Sequence, residues 1–215
     1  MKADRALTVV TLRLPGPVFD LLPSELTSRM IPVVPIVFTQ GINEAQSFVN
    51  AVGGRASSLQ REINLASLFR LTRFARAWGR EAVGVGLRKL DHDMAALAAE
   101  IRAEVTSARK RPKILQLASD VVRQLQGARL TCCKSGKDRT AMSVCLEEAR
   151  ILQQRHGLAQ SRLLQAAGIF REQGVRRAVC RKNIGKALYA FNPFQSALLP
   201  SEYKPPSSAI AGAVS

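Results

Sequence analysis

The spacing of hydrophobic residues along the chain predicts a protein made mainly of helices. In residues 59–78, apolar side chains recur every three or four positions and arginines fill the opposite face. This is the pattern of an amphipathic helix with one face in a core. Glycines at positions 53–54, 127 and 157 end other helical patterns. On these grounds further helices are predicted over residues 42–54, 89–109, 113–126, 140–156 and 161–182.

Three short stretches have the composition of β-strands instead. The run LTVVTLRL spans residues 7–14 and is followed by prolines, and IPVVPIVFTQG spans residues 31–41 and is broken at Pro35. The third, ARLTC, spans residues 128–132 and lies between two predicted helices. Strands that alternate with helices favour an α/β fold. The pattern therefore predicts an α/β protein with many helices.

Charge narrows the range of partners. The chain has 215 residues, with 32 Lys and Arg against 16 Asp and Glu, which gives a formal net charge of +16. Such a field favours an anionic partner: nucleic acid, an anionic membrane surface or a polyphosphorylated ligand. Aromatic residues make up only 5% of the chain, and no nucleic-acid-binding motif is present. We therefore expect no nucleic acid among its partners.

The cysteines and the hydropathy indicate where in the cell the protein is located. The chain has four cysteines in no disulfide-like or zinc-like spacing and only two histidines, so neither a disulfide framework nor a metal site is expected. Reduced thiols favour an intracellular location. The most apolar run, IPVVPIVF, is short and contains two prolines, so no transmembrane segment is predicted. We expect a cytoplasmic protein whose contact with membranes is peripheral.

The strongest chemical signal is a cysteine and an arginine separated by five residues. Cys133 follows the predicted strand, Arg139 precedes the predicted helix, and the loop between them reads Lys134, Ser135, Gly136, Lys137 and Asp138. Backbone N–H groups in such a turn converge on an anion, and the helix N-terminus adds partial positive charge. Arg139 is placed to hold a phosphate by two parallel hydrogen bonds.

This loop has the parts needed for phosphoryl transfer through a covalent intermediate. Surrounding cations stabilise the thiolate form of Cys133, which then attacks phosphorus without a metal ion or other cofactor. Gly136 permits backbone angles that other residues resist, and Thr140 is placed either to hydrogen-bond the thiolate or to cap the helix. A leaving alkoxide needs a proton, for which Asp138 is the first candidate and Asp91 and Asp93 are the reserves.

The remaining cysteines are expected to have structural roles. Cys145 lies on the apolar face of the helix that follows the loop, which predicts a core position. For Cys132 we favour a core position as well, with a resolving thiol beside Cys133 as the alternative.

With these residues in place, the chain resembles a known family. The octapeptide CKSGKDRT is similar to the active-site signature of the inositol polyphosphate 4-phosphatases and of related bacterial effectors, which are Cys-x5-Arg phosphatases. Three flanking segments, PVVPIVFTQGINEAQSF, SLQREINLASLFRL and NIGKALYAFNPFQSALLPSEYKPP, resemble other parts of this family. The resemblance extends, with gaps, over about residues 31–206 and corresponds to the family's catalytic C-terminal region.

The resemblance implies a fold and an activity. The fold would be a central sheet like that of protein tyrosine phosphatases, flanked by many helices, with the phosphate loop between a strand and a helix. The activity would be removal of the 4-phosphate from phosphatidylinositol 3,4-bisphosphate at an anionic membrane surface. Cys133 would be the nucleophile and Arg139 the phosphate clamp, while Lys134 and Lys137 would contact the other ring phosphates.

Two expectations complete the prediction. Residues 1–206 would form one phosphatase domain, which is either complete or the C-terminal part of a larger protein, and residues 207–215 a disordered tail. The alternative function is an inactive module that docks on anionic phosphoinositide membranes. No oligomeric state is predicted.

Overall fold

The computed structural model describes residues 11–28, 30, 35–43, 46–48, 51, 55–81, 87–104, 109–134 and 136–211. The chain divides into two compact units, Met1–Pro35 and Ile36–Ser215. The predicted domain over residues 1–206 includes residues of both units, and its extent as a domain stays a prediction.

The first unit contains two one-turn helices, α1 (Gly16–Phe19) and α2 (Ser24–Thr27). Each begins directly after a proline, Pro15 for α1 and Pro23 for α2. In α1 a further proline, Pro17, lies in the first turn, where its fixed φ suits a helix.

The second unit contains the longer helices. The helical periodicity read from the sequence is confirmed at residues 59–78, 113–126 and 140–156, with shifts of a few residues at the ends. The predicted helix over residues 161–182 is two helices, separated at Gly174 and Val175, because glycine disfavours a helix interior. In chain order the helices are α3 (Arg55–Glu81), α4 (Leu87–Glu104), α5 (Lys113–Gln124), α6 (Asp138–Arg155), α7 (Leu163–Gln173), α8 (Arg176–Ile184) and α9 (Pro193–Leu198).

Two hydrophobic clusters form the core of this unit. One lies among α3, α4 and α5 and includes the fully buried Leu97, Ile101 and Val121. The other lies among α6, α7 and the C-terminal segment and includes Met142 and Tyr189. Helix α5 contributes to both, because Ile114 faces the first cluster and Leu115 packs against the second. None of the helices in the described ranges is long and apolar enough to cross a membrane.

The apolar segment at residues 36–41 has no regular secondary structure and pairs with no strand in the described part of the chain. Its backbone groups bond to two side chains one turn apart on α3. The Val37 N–H donates to Ser67 Oγ and the Ser67 hydroxyl donates to the Val37 carbonyl, at 3.0 and 2.7 Å. In the same way, Thr39 exchanges two hydrogen bonds with the Asn64 amide, at 2.8 and 2.9 Å. Side chains of a helix therefore satisfy backbone groups that a neighbouring strand would satisfy in a sheet.

The predicted α/β fold with a central sheet like that of protein tyrosine phosphatases is wrong. Over the residues that the structure describes, the backbone forms no strand, and the sole β-type pairing is an isolated bridge between Tyr189 and Ile210. Residues 128–132, the predicted strand before the loop, are irregular, and Leu130 is 98% exposed. A strand requires a partner for its backbone groups, and here the neighbouring elements are helices. Residues 7–10 and 31–34 of the other predicted strands lie outside the described residues.

The C-terminal segment packs against the second cluster through residues that the sequence places in the tail. Residues Ser207–Ala209 form a 3-10 turn, and Ala209 is fully buried. The Tyr189 N–H donates to the Ala209 carbonyl at 2.9 Å, and the Ala211 N–H donates to the Tyr189 carbonyl at 3.0 Å. Residues 207–211 therefore contact the core, and the predicted disorder of residues 207–215 stays a prediction, since residues 212–215 lie outside the described residues.

Candidate active site

The cysteine–arginine loop joins the irregular segment 127–132 to the N-terminus of α6. The first helical hydrogen bond runs from the Ala141 N–H to the Lys137 carbonyl at 3.0 Å. The amides of residues 138–140 precede it and have no acceptor within the helix. These amides and the helix dipole make the start of α6 suited to an anion. The segment before the loop is therefore irregular where a strand was predicted, whereas the predicted helix after the loop is present.

The nucleophile candidate contacts the first turn of α6. The Thr140 hydroxyl donates to Cys133 Sγ at 3.1 Å. Cys133 is half-buried, whereas Thr140 is buried and followed by the fully buried Ala141 and Met142. The helix core therefore fixes the hydroxyl against the sulfur. The N-cap residue of α6 has no side-chain capping hydrogen bond. Of the two roles considered for Thr140, capping the helix or bonding the sulfur, its contact matches the bond to the sulfur.

Gly136 is the turning point of the loop. Its φ is +66°, a left-handed conformation that other residues resist. A Cβ added there would meet no heavy atom within 4 Å, so the requirement for glycine comes from the backbone angle and not from crowding.

Asp138, the candidate general acid, uses both carboxylate oxygens. One forms an ion pair with Lys137 Nζ. The other accepts a hydrogen bond from the backbone N–H of Ala190 at 3.1 Å. The two charged side chains are mostly buried, with 12% of Lys137 and 14% of Asp138 exposed. The candidate acid therefore connects the loop to the segment that follows α8.

The other predicted site residues differ in exposure. Arg139 is half-buried in the first turn of α6, and Lys134 is exposed. Ser135 lies outside the described residues. The reserve acids belong to α4: Asp91 is exposed, while Asp93 is buried and accepts hydrogen bonds from Lys89 and Gln124. The contacts of Asp93 are thus with α4 and α5.

One contact to the loop was missed by the sequence analysis. The guanidinium of Arg176, the first residue of α8, donates to the Gly136 carbonyl at 2.7 Å. In the sequence Arg176 is one of seven basic residues between positions 162 and 186, and nothing local distinguishes it from the others.

A network of ion pairs joins α5 to α6. Asp120 pairs with Arg123 and Arg150, and Glu147 pairs with the same two arginines. Arg129, in the segment before the loop, lies 3.9 Å from Glu147. Burial lowers the pKa of Arg129, and nearby arginines lower it further. The network links the segment before Cys133 to the helix after it.

The four thiols occupy different environments. Cys145 is fully buried, as predicted, and burial raises its pKa to about 11. Cys180 is also fully buried, and burial, followed by the charge of Asp138, raises its pKa. Cys132 is exposed, so the predicted core position is wrong: residue 132 belongs to the irregular segment, which presents it to solvent. Its alternative role as a resolving thiol stays a prediction.

Comparison with known proteins identifies relatives over nearly the whole chain. The family described as the INPP4A C-terminal domain matches residues 1–203. Inositol polyphosphate 4-phosphatase type II of Homo sapiens is 34% identical over 202 residues, which is 92% of this chain and 22% of the relative. Type II inositol 3,4-bisphosphate 4-phosphatase of Rattus norvegicus is 34% identical over 210 residues, with the same coverage.

A different kind of relative matches more weakly. The phosphatidylinositol 3,4,5-trisphosphate-dependent Rac exchanger 1 protein of Mus musculus is 26% identical over 205 residues, 86% of this chain and 12% of the relative. The chain thus spans 22% or less of the length of these relatives. No solved structure matches the chain.

Proposed function

The chain belongs to the family of the INPP4A C-terminal domain, and on that basis we propose that it is a phosphoinositide phosphatase that uses Cys133 as its nucleophile. Its substrate is phosphatidylinositol 3,4-bisphosphate, from which it removes the 4-phosphate. It works at the anionic surface of a membrane on the cytoplasmic side, without a metal ion or other cofactor. The relatives named as 4-phosphatases support the proposed reaction. The net charge of +16 supports binding to an anionic membrane surface.

One observation carries the proposal: the hydrogen bond from the Thr140 hydroxyl to Cys133 Sγ. A donor held at this sulfur stabilises a thiolate. The hydroxyl comes from the first turn of α6, where free amides and the helix dipole favour an anion. Nucleophile and anion site are therefore brought together by the same helix end.

In the proposed first step, Cys133 Sγ attacks the 4-phosphorus. An S–P bond forms, the bond from phosphorus to the inositol oxygen breaks, and Asp138 gives its proton to that oxygen. Arg139 and the loop amides, including those at Ser135 and Gly136, stabilise the charge on the phosphoryl oxygens. A water molecule then attacks the phosphocysteine, and Asp138 takes up its proton, which restores the thiolate and releases inorganic phosphate.

The ion pair between Lys137 and Asp138 has a consequence for binding. The 3-phosphate of the substrate competes with Asp138 for Lys137, since both are anions that a lysine binds. When Lys137 turns to the substrate, the Asp138 carboxylate loses its cationic partner and takes up a proton from solvent, and it then acts as the acid. Lys134 is exposed and supplies a further cation to the phosphorylated ring.

A second candidate function is a domain that binds phosphoinositides without cleaving them. The observation that favours it is the match to the Rac exchanger, whose name describes exchange and dependence on a phosphoinositide. The same basic loop would then hold a phosphate without reaction at Cys133.

The experiment that tests the proposal measures phosphate release from a panel of soluble and lipid-embedded inositol phosphates, without divalent metal. Cys133→Ser is the test variant, and Cys132→Ser is the matched control that changes the neighbouring thiol. We expect release from phosphatidylinositol 3,4-bisphosphate, lost by about 10³-fold or more in Cys133→Ser and kept in Cys132→Ser.

The opposite result is equally informative. If folded protein binds vesicles that contain the 3,4-bisphosphate but releases no phosphate, the proposed reaction is wrong and the binding domain is favoured. If release continues in Cys133→Ser, the proposed nucleophile is wrong.

A further inference from the structure

The central carbonyl of the loop is held by a residue from a distant part of the chain. Arg176 Nη2 donates to the Gly136 carbonyl at 2.7 Å, across 40 positions of sequence. A second contact from beyond α8 reaches the loop two residues later, where the Ala190 N–H donates to Asp138. The segment from residue 176 to residue 190 therefore holds the loop at two points.

The position of this contact matters for binding an anion. A loop that binds phosphate must direct its N–H groups inward and its carbonyl oxygens outward, because a carbonyl oxygen repels an anion. The left-handed conformation of Gly136 sets the direction of its carbonyl, and the guanidinium bonded to that oxygen maintains it. A hydrogen bond from a charged donor is about twice as strong as a neutral one, so this contact stabilises one loop conformation over others.

Burial and hydrogen bonds hold helix α8 in place, so the position of Arg176 is well defined. Cys180, near the middle of the helix, is fully buried in the second cluster. Arg177, which follows Arg176, donates to the carbonyls of Glu172 and Ala187 at 2.7 and 2.6 Å. These two hydrogen bonds join α8 to the segments on both sides of it.

The basic residues of this region divide into different roles. Arg171 is 2% exposed and donates to the carbonyls of Met142, Glu202 and Lys204, so it ties the C-terminal segment to α6. Arg181 is exposed on the same helix as Arg176. Only Arg176, among the arginines of α7 and α8 whose hydrogen bonds are described, donates to the loop.

We propose that Arg176 is a positioning residue of the phosphate site, which fixes the Gly136 carbonyl outward so that the loop is organised for phosphate before substrate arrives. This inference rests on the proposed function. It predicts that the affinity of the loop for phosphate depends on the guanidinium at residue 176 and not on the general positive charge of α8.

The test measures protection of Cys133 from alkylation by iodoacetamide at increasing concentrations of inorganic phosphate. The full chain is used in a Cys132→Ser background, and alkylation is quantified on the peptide that contains Cys133. Arg176→Gln removes the guanidinium, and Arg181→Gln removes the same charge from an exposed site on the same helix. We expect half-protection to need about 10-fold more phosphate in Arg176→Gln and an unchanged concentration in Arg181→Gln.

Two further measurements separate positioning from folding. Thermal unfolding establishes that the variants are folded, and Arg176→Lys, which keeps a charged donor, should restore part of the affinity. If Arg176→Gln does not fold, the comparison of Arg176→Lys with Arg181→Lys decides, with weaker protection expected only in the former.

The outcomes distinguish this inference from the function on which it rests. If phosphate protects the parent and both glutamine variants equally, Arg176 has no positioning role, while the phosphate site remains. If phosphate does not protect Cys133 even in the parent, the proposed site is wrong and the inference fails with it.

Discussion

Two groups of charged residues lie near the irregular segment before α6: the ion-pair network between α5 and α6, and the cysteine–arginine loop. They differ in the ratio of basic to acidic side chains. In the network between α5 and α6, Arg123 and Arg150 each pair with both Asp120 and Glu147. All four side chains are less than 20% exposed. Such a network satisfies its own charges and serves the packing of two helices.

The loop has a different balance. Among the described residues, four basic side chains, Lys134, Lys137, Arg139 and Arg176, belong to it or contact it. Two carboxylates accompany them: Asp138 in the loop and Glu148, whose charge interacts with that of Arg176. The surplus of positive charge is suited to a ligand that brings negative charge. The matched charges of the network join two helices, whereas the surplus positive charge at the loop is what the proposed phosphate site requires.

The largest expected effect comes from Arg139, the proposed phosphate clamp. Arg139→Lys keeps the charge but loses the planar pair of donors, so kcat/KM for phosphate release should fall about 10²- to 10³-fold with little change in thermal stability. Arg155→Lys is the matched control at the exposed end of the same helix, where no change is expected. Equal activity in the two variants would remove Arg139 from the site.

The next effect should appear in the balanced network. Asp120→Asn removes a charge that Arg123 and Arg150 share, which should lower the free energy of unfolding by about 3 kcal/mol. Urea denaturation measures the loss, and the folded fraction should keep the proposed phosphatase activity. Asp91→Asn, at an exposed position on α4, should change stability by less than about 0.5 kcal/mol. If Asp120→Asn lost activity without losing stability, the network would serve the site and not the packing of α5 against α6.

The smallest effect concerns a thiol in the core behind the loop. Burial raises the pKa of Cys145 from 9.0 to about 11, so the native state keeps this proton at a pH where the unfolded chain releases it. Stability from this group is therefore full below pH 9 and declines as the pH rises from 9 to 11, by an amount on the order of 1 kcal/mol. Denaturation of the parent and of Cys145→Ala at pH 8 and pH 10.5 should show a smaller decline in the variant. An identical decline would mean that Cys145 does not contribute.

The candidate site was partly readable from the sequence. The spacing of Cys133 and Arg139, the glycine between them and the helix that follows are consecutive features. The Thr140 hydroxyl contacts Cys133 Sγ, while the roles of these residues in a site stay predictions. Arg176 was not identified, because a run of basic residues contains no information about which one turns toward the loop. Cys132 was misplaced, because its apolar character suggested burial while its segment is exposed.

The fold class shows where local patterns are insufficient. The apolar segments at residues 36–41 and 128–132 have strand-like composition, but a sheet needs partners for backbone groups. In the first segment Asn64 and Ser67 of α3 supply those partners. In the second, Leu130 points into solvent. Composition measures a preference for the extended state, and neighbouring elements decide whether it becomes a sheet.

The sequence by itself determined where the long helices lie and which loop carries the cysteine and arginine, because periodicity and spacing are properties of neighbouring residues. Only the tertiary structure decided that helix side chains replace a sheet, that Asp138 is bound by Ala190 and that Arg176 holds Gly136. These contacts join residues 25 to 52 positions apart. Such distances are closed by packing of the core, and no local pattern specifies them.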